Sequence, residues 1–257
     1  MQPLEPLPDR LRRLFFEQFT VADIAEVLAS FDAERPASEV RAFMEEHEFG
    51  QVGVRSRGFV RGYVRLEDLG DGTCGDAMRE FGDDDVLHES ASLLEVIKAV
   101  GVYRRSFVSA LGKVIGIVTL SDFEKPAVRM WLFGLITMVE MRLVEEIHHR
   151  HPADAWTSEL SEGRVAKARQ LCEERRRRKQ SVELIDCLQF SDKAQIVLRM
   201  EDIRERMGVA SRESGQKLFR RLEELRNNLA HAQELAATDW KSIVGVALRM
   251  EQILGVR

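Results

Sequence analysis

The apolar positions of this chain change rhythm at Pro126. Upstream they come in short runs broken by glycine. A pattern there occurs twice: Gly58-Phe59-Val60-Arg61-Gly62-Tyr63-Val64-Arg65-Leu66-Glu67-Asp68 returns as Gly112-Lys113-Val114-Ile115-Gly116-Ile117-Val118-Thr119-Leu120-Ser121-Asp122, 54 residues on without a gap. Each copy reads as a helix, a strand (51–54; 106–110), a glycine-marked hairpin turn, a second strand (59–64; 114–119) and a new helix. Val114, Ile115, Ile117 and Val118 leave almost no polar face, the pattern of a strand covered by helices. Neither copy has enough sheet to stand alone, so the two are expected to pair.

Pro126 suits the first turn of a helix. From Ala127 apolar residues run through Met130, Leu132, Phe133, Ile136, Met138 and Val139, and the pattern then turns amphipathic at Met141, Leu143, Val144 and Ile147. Further helices are expected over 162–179, 192–207, 212–235 and 240–254, with a short helix and turn in 181–190. Short polar links join them, as a helical bundle requires. The fold class expected is therefore an α/β tandem pair followed by an all-α bundle. An N-terminal helical extension covers 1–17, the repeats about 18–71 and 72–140, and the bundle 141–257. The helix from Ala127 leaves the first domain and enters the second, so it is expected to couple them mechanically.

At 257 residues both domains can bury a core. Cys74, Cys172 and Cys187 lack metal-ligand spacing, cannot all pair, and suit a reducing cytoplasm. The first residues lack the basic and apolar runs of a secretion signal, and no stretch approaches the ~20 apolar residues of a membrane span. A cytoplasmic protein without a membrane partner is expected. The net charge of -5 hides an asymmetry: residues 1–125 hold 15 Lys plus Arg against 23 Asp plus Glu, residues 126–257 hold 23 against 20. A nucleic-acid partner would belong to the second half. The run Arg175-Arg176-Arg177-Arg178-Lys179 either favours its own helix end or touches phosphate, with Glu173 and Glu174 weighing against the latter. His148, His149 and His151, before Pro152, read as a solvated helix end rather than a metal site.

The signature Gly-x-x-x-Gly-Ile-Val-Thr-x-x-Asp, complete at Gly112, Gly116, Ile117, Val118, Thr119 and Asp122, resembles that of the tandem CBS (Bateman) module, over roughly 18–140 with 72–86 as connector. The resemblance implies two clefts in which a Thr hydroxyl and an Asp carboxylate hold the phosphate and ribose of an adenine nucleotide (AMP, ADP or ATP) as regulatory ligand. Thr119 and Asp122 take these roles in the second copy. Ser121 or Asp122 is expected to open a helix whose free N–H groups stabilise an anion, and a carboxylate can accept both hydroxyls of a ribose. Lys125 and Arg129, just inside that helix, are either further phosphate ligands or surface charges. In the first copy Asp68 matches Asp122, but Arg65 replaces Thr119 and either contacts phosphate or fills the cleft. Asp68 and Asp122 are otherwise plain helix caps.

In the bundle, Leu222, Leu225 and Leu229 form the core stripe of one helix, and His231 points about 180° from Leu222. Asn227 lies one turn before His231 on nearly the same face, and adjacent Asn residues in mid-helix cost about 0.5 kcal/mol each against Ala. The stretch Arg226-Asn227-Asn228-Leu229-Ala230-His231 resembles the Arg-x4-6-His motif of the HEPN superfamily, whose bundle would cover about 140–257 and dimerise so that two motifs meet. The resemblance implies a metal-independent endoribonuclease that leaves 2',3'-cyclic phosphate ends on single-stranded RNA or tRNA. His231 would move the proton, Arg226 would hold the phosphate, and Asn227 would orient either group. The alternative is a non-catalytic, nucleotide-gated scaffold whose helical domain mediates dimerisation and partner binding, with His231 capping a surface and Arg226 in an ion pair with Asp202 or Glu223. A homodimer through both domains is expected in either case, with no catalytic metal.

Overall fold

The computed structural model describes residues 7–231 and 240–255. Two compact units divide the chain, Phe16–Val128 and Met1–Phe15 with Arg129–Arg257. The first is the α/β tandem pair and the second is all-α, the fold class expected from the change of rhythm at Pro126. No helix among the described residues is long and apolar enough to cross a membrane.

The α/β unit contains two four-stranded sheets. One runs in the order β2 (Ser30–Asp32), β3 (Gln51–Ser56), β4 (Phe59–Arg65), β5 (Arg79–Glu80), with helix α2 (Ala37–Glu46) between β2 and β3. The other runs β6 (Val86–His88), β7 (Arg105–Ala110), β8 (Lys113–Thr119), β1 (Glu26–Val27), with α3 (Leu93–Tyr103) between β6 and β7. In each sheet the β–α–β step is parallel and the following hairpin antiparallel. The edge strands are exchanged. β1 precedes the first copy and pairs with the second copy's β8, while β5, from the segment between the copies, pairs with the first copy's β4. Each sheet is thus completed by the other half's leading segment, which locks two under-sized sheets into one unit.

The repeated glycines follow from this exchange. Gly58 and Gly112 take positive φ (79° and 74°) in the hairpin turns, where a side chain is strained. Gly62 and Gly116 leave room for the exchanged strands: a Cβ on Gly62 would lie 2.3 Å from the carbonyl oxygen of Arg79, and one on Gly116 2.9 Å from that of Glu26. Strands β1, β2, β5 and β6 have two or three residues each, too few for an alternating pattern to show in sequence. Between the sheets lie Leu28, Tyr63 and Phe107, flanked by Val60, Phe81, Val86, Val114 and Ile117. Buried Arg105 enters this layer. Its guanidinium donates to Asp85 Oδ1 (2.9 Å) and to the Tyr63 hydroxyl (2.6 Å), and stacks over the Tyr63 and Phe107 rings.

In the all-α unit the described helices are α1 (Leu7–Arg13), α4 (Pro126–Arg150, which begins in the α/β unit), α5 (Glu162–Arg177), α6 (Phe190–Arg199), α7 (Glu201–Arg206), α8 (Arg212–Ala230) and α9 (Trp240–Ile253). The single helix expected over 192–207 is broken at Met200, whose backbone is extended (φ -85°, ψ 105°). Arginines accept the break: Arg204 donates to the freed carbonyl of Leu198 and Arg212 to that of Arg199, so no Gly or Pro was needed to mark it. Residues 232–235 of the expected helix lie outside the described residues. The basic run is partly structural: Arg175 donates to Asp186 O and Arg176 to Val182 O, tying the following loop to the end of α5. His148 faces Glu183 at 3.4 Å, and among the described residues no group of three or more His, Cys, Asp or Glu could hold a metal ion.

Candidate functional site

The second repeat ends with Thr119 at the last position of β8, capping a 3-10 turn over Leu120–Glu124. The long helix starts only at Pro126, so Asp122 lies inside the short turn rather than at the mouth of a helix with free N–H groups. Asp122 Oδ2 accepts from the Thr119 backbone N–H (2.7 Å) and hydroxyl (3.0 Å), and Oδ1 faces Lys125 Nζ at 2.8 Å. The Thr119 hydroxyl also meets Ser121 Oγ at 2.8 Å. Only 7% of the Asp122 side chain is exposed. Lys125 reaches across to the exchanged segment: its ammonium donates to the carbonyl of Ile24 (2.6 Å) and pairs closely with Glu26 of β1. Burial opposes that charge, but the hydrogen bonds and charges of Asp122 and Glu26 outweigh it and hold the ammonium's pKa above its ordinary value. Thr119, Asp122, Lys125, Glu26 and the Ile24 carbonyl thus form one hydrogen-bonded cluster at the seam between β8 and β1.

At the related position of the first copy the exchanged strand supplies the cation instead of an anion. Asp68 accepts from Arg79 of β5 in a two-pronged pair, Nε to Oδ2 at 2.5 Å and Nη2 to Oδ1 at 2.7 Å. These hydrogen bonds hold the Asp68 carboxyl below the usual carboxylate range. Arg65, in the place of Thr119, donates to Glu67 at 3.2 Å, and its buried Nε has no hydrogen-bond partner among the described residues. The fork of Arg79 engages both oxygens of Asp68, a two-pronged pair with better geometry than its counterpart.

Glu26, Arg79 and Arg105 are the charged residues that the repeat alignment passed over. A second repeat carried the signal: Thr20-Val21-Ala22-Asp23 and Thr73-Cys74-Gly75-Asp76, 53 residues apart. Each forms the same turn, with the Asp carboxylate accepting the Thr backbone N–H at 2.7 and 2.8 Å. Counting on from those turns places Glu26 and Arg79 at equivalent positions of the exchanged strands.

The other candidate residues lie in the all-α unit. Arg129 donates to the carbonyls of Asn228 (3.4 Å) and Leu229 (3.5 Å) at the end of α8, a favourable place for a cation. Arg226 donates to Asn227 Oδ1 at 3.3 Å, and its guanidinium lies 4.0 Å from Glu140 and over the Phe190 ring. Glu140 is shared with Lys193, whose ammonium is buried and 2.8 Å away. Neither Asp202 nor Glu223 is the partner of Arg226: Asp202 faces Arg150 at 3.6 Å. His231 is the exposed C-cap residue of α8, its N–H bonded to Asn227 O at 3.0 Å. The structure therefore joins Arg226 to Asn227 and places His231 one turn on, at the surface.

No protein-family model and no curated protein matches the chain. Among solved structures it is similar to an uncharacterized conserved protein from Pyrococcus horikoshii, at 20% identity and a TM-score of 0.37 over 42% of this chain and 90% of that one. It is similar to CBSX2 in complex with AMP at 20% identity and 0.39, over 44% and 98%. It is also similar to the CBS domain of the bacterial CNNM/CorC family Mg2+ transporter in complex with ATP, at 17% identity and 0.36, over 45% and 90%. Likenesses of this size say nothing of what this chain binds.

Proposed function

We propose that this chain is a nucleotide-sensing regulatory protein: its α/β unit takes one adenine nucleotide (AMP, ADP or ATP) in the second cleft, and its helical unit mediates dimerisation and partner binding. The observation that carries the reading is the nearly buried Asp122 beside Thr119 and Lys125 at the β1–β8 seam. A carboxylate there can accept both hydroxyls of a ribose, and the hydroxyls of Thr119 and Ser121 with the ammonium of Lys125 can hold phosphate. The first cleft, shut by the Asp68–Arg79 fork, takes no ligand, so binding saturates at one per chain. Calorimetric titration with AMP, ADP and ATP tests this. Asp122→Asn should weaken binding at least about tenfold, the value of one charge-assisted hydrogen bond, while wild type saturates at one nucleotide per chain. Equal affinities in wild type and Asp122→Asn would remove Asp122 from the site.

A second reading, an endoribonuclease of HEPN type, draws support from the Arg226–Asn227 hydrogen bond and the exposed His231 at the same helix end. Against it stands the engagement of Arg226 with Glu140 and Phe190, which gives the guanidinium a structural task. Incubation with single-stranded RNA in EDTA separates the two: cyclic-phosphate ends abolished by His231→Ala support the nuclease, and intact RNA supports the scaffold.

A further inference from the structure

All three N–H bonds of the Lys125 ammonium have an acceptor: the Ile24 carbonyl, Glu26 Oε1 and Asp122 Oδ1. Asp122 is equally occupied, with the Thr119 N–H and hydroxyl on one oxygen and Lys125 on the other. The cluster is satisfied from within, and Lys125 competes with any diol for the Asp122 carboxylate. We infer that Lys125 holds the second cleft shut in place of a ligand, and that opening it requires a ligand carrying both a vicinal diol and an anionic phosphate. The inference rests on the nucleotide reading above for the identity of the ligand.

The selection follows from what each partner loses. A diol reaching Asp122 returns two donors to the carboxylate, so that group is repaid by any nucleoside. The ammonium is not. Its side chain is only 29% exposed, and when it leaves Asp122 it is one acceptor short in a partly dry place, which is costly for a charge. A phosphate oxygen supplies the missing acceptor; a neutral nucleoside leaves the ammonium unpaid. The strap has no counterpart in the first copy, where the position 54 residues earlier is Asp71 and the cation on Asp68 comes from the exchanged strand itself. Lys125 is also the residue before Pro126, the first residue of α4, so its release acts on the start of that helix as well as on β1.

The full chain tests this with AMP and adenosine as probes. Wild type should prefer AMP by about tenfold or more, one charge-assisted contact. Lys125→Met should bind adenosine more tightly and AMP more weakly, bringing the two within about twofold. Glu26→Gln, which frees the other end of the strap and leaves Lys125 with Asp122, should keep the preference for AMP. Without any ligand, amide exchange at Leu28, whose N–H donates to Ile115 O at 3.0 Å, should quicken about tenfold in both variants, since β1 loses its tie. An unchanged AMP preference in Lys125→Met overturns the inference, and so does unchanged exchange at Leu28 in both variants. A wild type that binds neither probe overturns the nucleotide reading and the selection with it, while faster exchange in the same variants would still establish the strap.

Discussion

Replacing Arg105 by Met removes a charge from the layer between the two sheets while keeping most of the apolar stem. Three contacts go: the bond to Asp85 Oδ1 at 2.9 Å, the bond to the Tyr63 hydroxyl at 2.6 Å, and the stacking over Tyr63 and Phe107 at 4.5 and 4.7 Å from the ring centroids. A charge-assisted hydrogen bond contributes about 1.5–3 kcal/mol and a desolvated cation–π contact about 2 kcal/mol. The sum overstates the loss, because the buried guanidinium (7% exposed) also carries a desolvation cost that disappears with it. Asp85 is 19% exposed and regains part of its hydration. The expected cost is about 3 kcal/mol, the lower end of the range for breaking a buried pair from one side. Trp131, Trp156 and Trp240 all lie beyond residue 128, so tryptophan fluorescence reports the wrong unit. Amide exchange along β7 and β8 is the suitable assay, and 3 kcal/mol appears there as roughly 150-fold faster opening. Asp85→Asn added to Arg105→Met should cost little more, because the carboxylate's partner is already gone. Acceleration under about tenfold in Arg105→Met would refute the assignment of this group as the pin between the sheets.

Two further outcomes follow from the exchanged strands. Gly62→Ala and Gly116→Ala should each destabilise the α/β unit by about 1–3 kcal/mol, because the new methyl meets backbone oxygen rather than a side chain that can swing away; Gly62→Ala should be the worse, and amide exchange along β4 and β8 that ranks them the other way would contradict the geometry. The Asp68–Arg79 pair should show itself in acid. Its folded carboxyl pKa lies below the unfolded value of about 3.9, so the stabilisation is complete above about pH 5 and is lost as the pH falls through the folded pKa. The stability difference between wild type and Asp68→Asn should hold steady from pH 8 to 5 and shrink on further acidification; a difference undiminished at pH 2 would mean that the pair is not its source.

The halves differ in how much of them could be read in advance. The hairpins 51–65 and 105–119 are legible because each combines an apolar run with a glycine that the turn demands, and the two copies align 54 residues apart without a gap. The exchange of β1 and β5 was not, since two-residue strands have no period and their pairing depends on contacts between distant segments. The sequence also suggested a helix opening at Ser121 or Asp122, whereas the backbone closes a 3-10 turn around the Asp122 carboxylate before Pro126 begins the helix. In the bundle, Leu222, Leu225 and Leu229 are buried as their spacing required. The partner of Arg226 was out of reach of local reasoning, because Glu140 lies on α4, more than 80 residues away in sequence.

The two clefts share one plan and differ in where the cation on their aspartate comes from. At the first, Arg79 belongs to the exchanged strand and its planar fork fits a carboxylate closely. Breaking that pair would unpick the sheet it completes. At the second, the exchanged strand offers Glu26 instead, and the cation is a lysine on the far side of the aspartate, a flexible point charge that can turn from one oxygen to another. Transposing the charges therefore makes one cleft a fixed clamp and leaves the other reversible. The movable cation sits immediately before Pro126, the first residue of α4, so a change in its partners acts on the turn from which that helix starts.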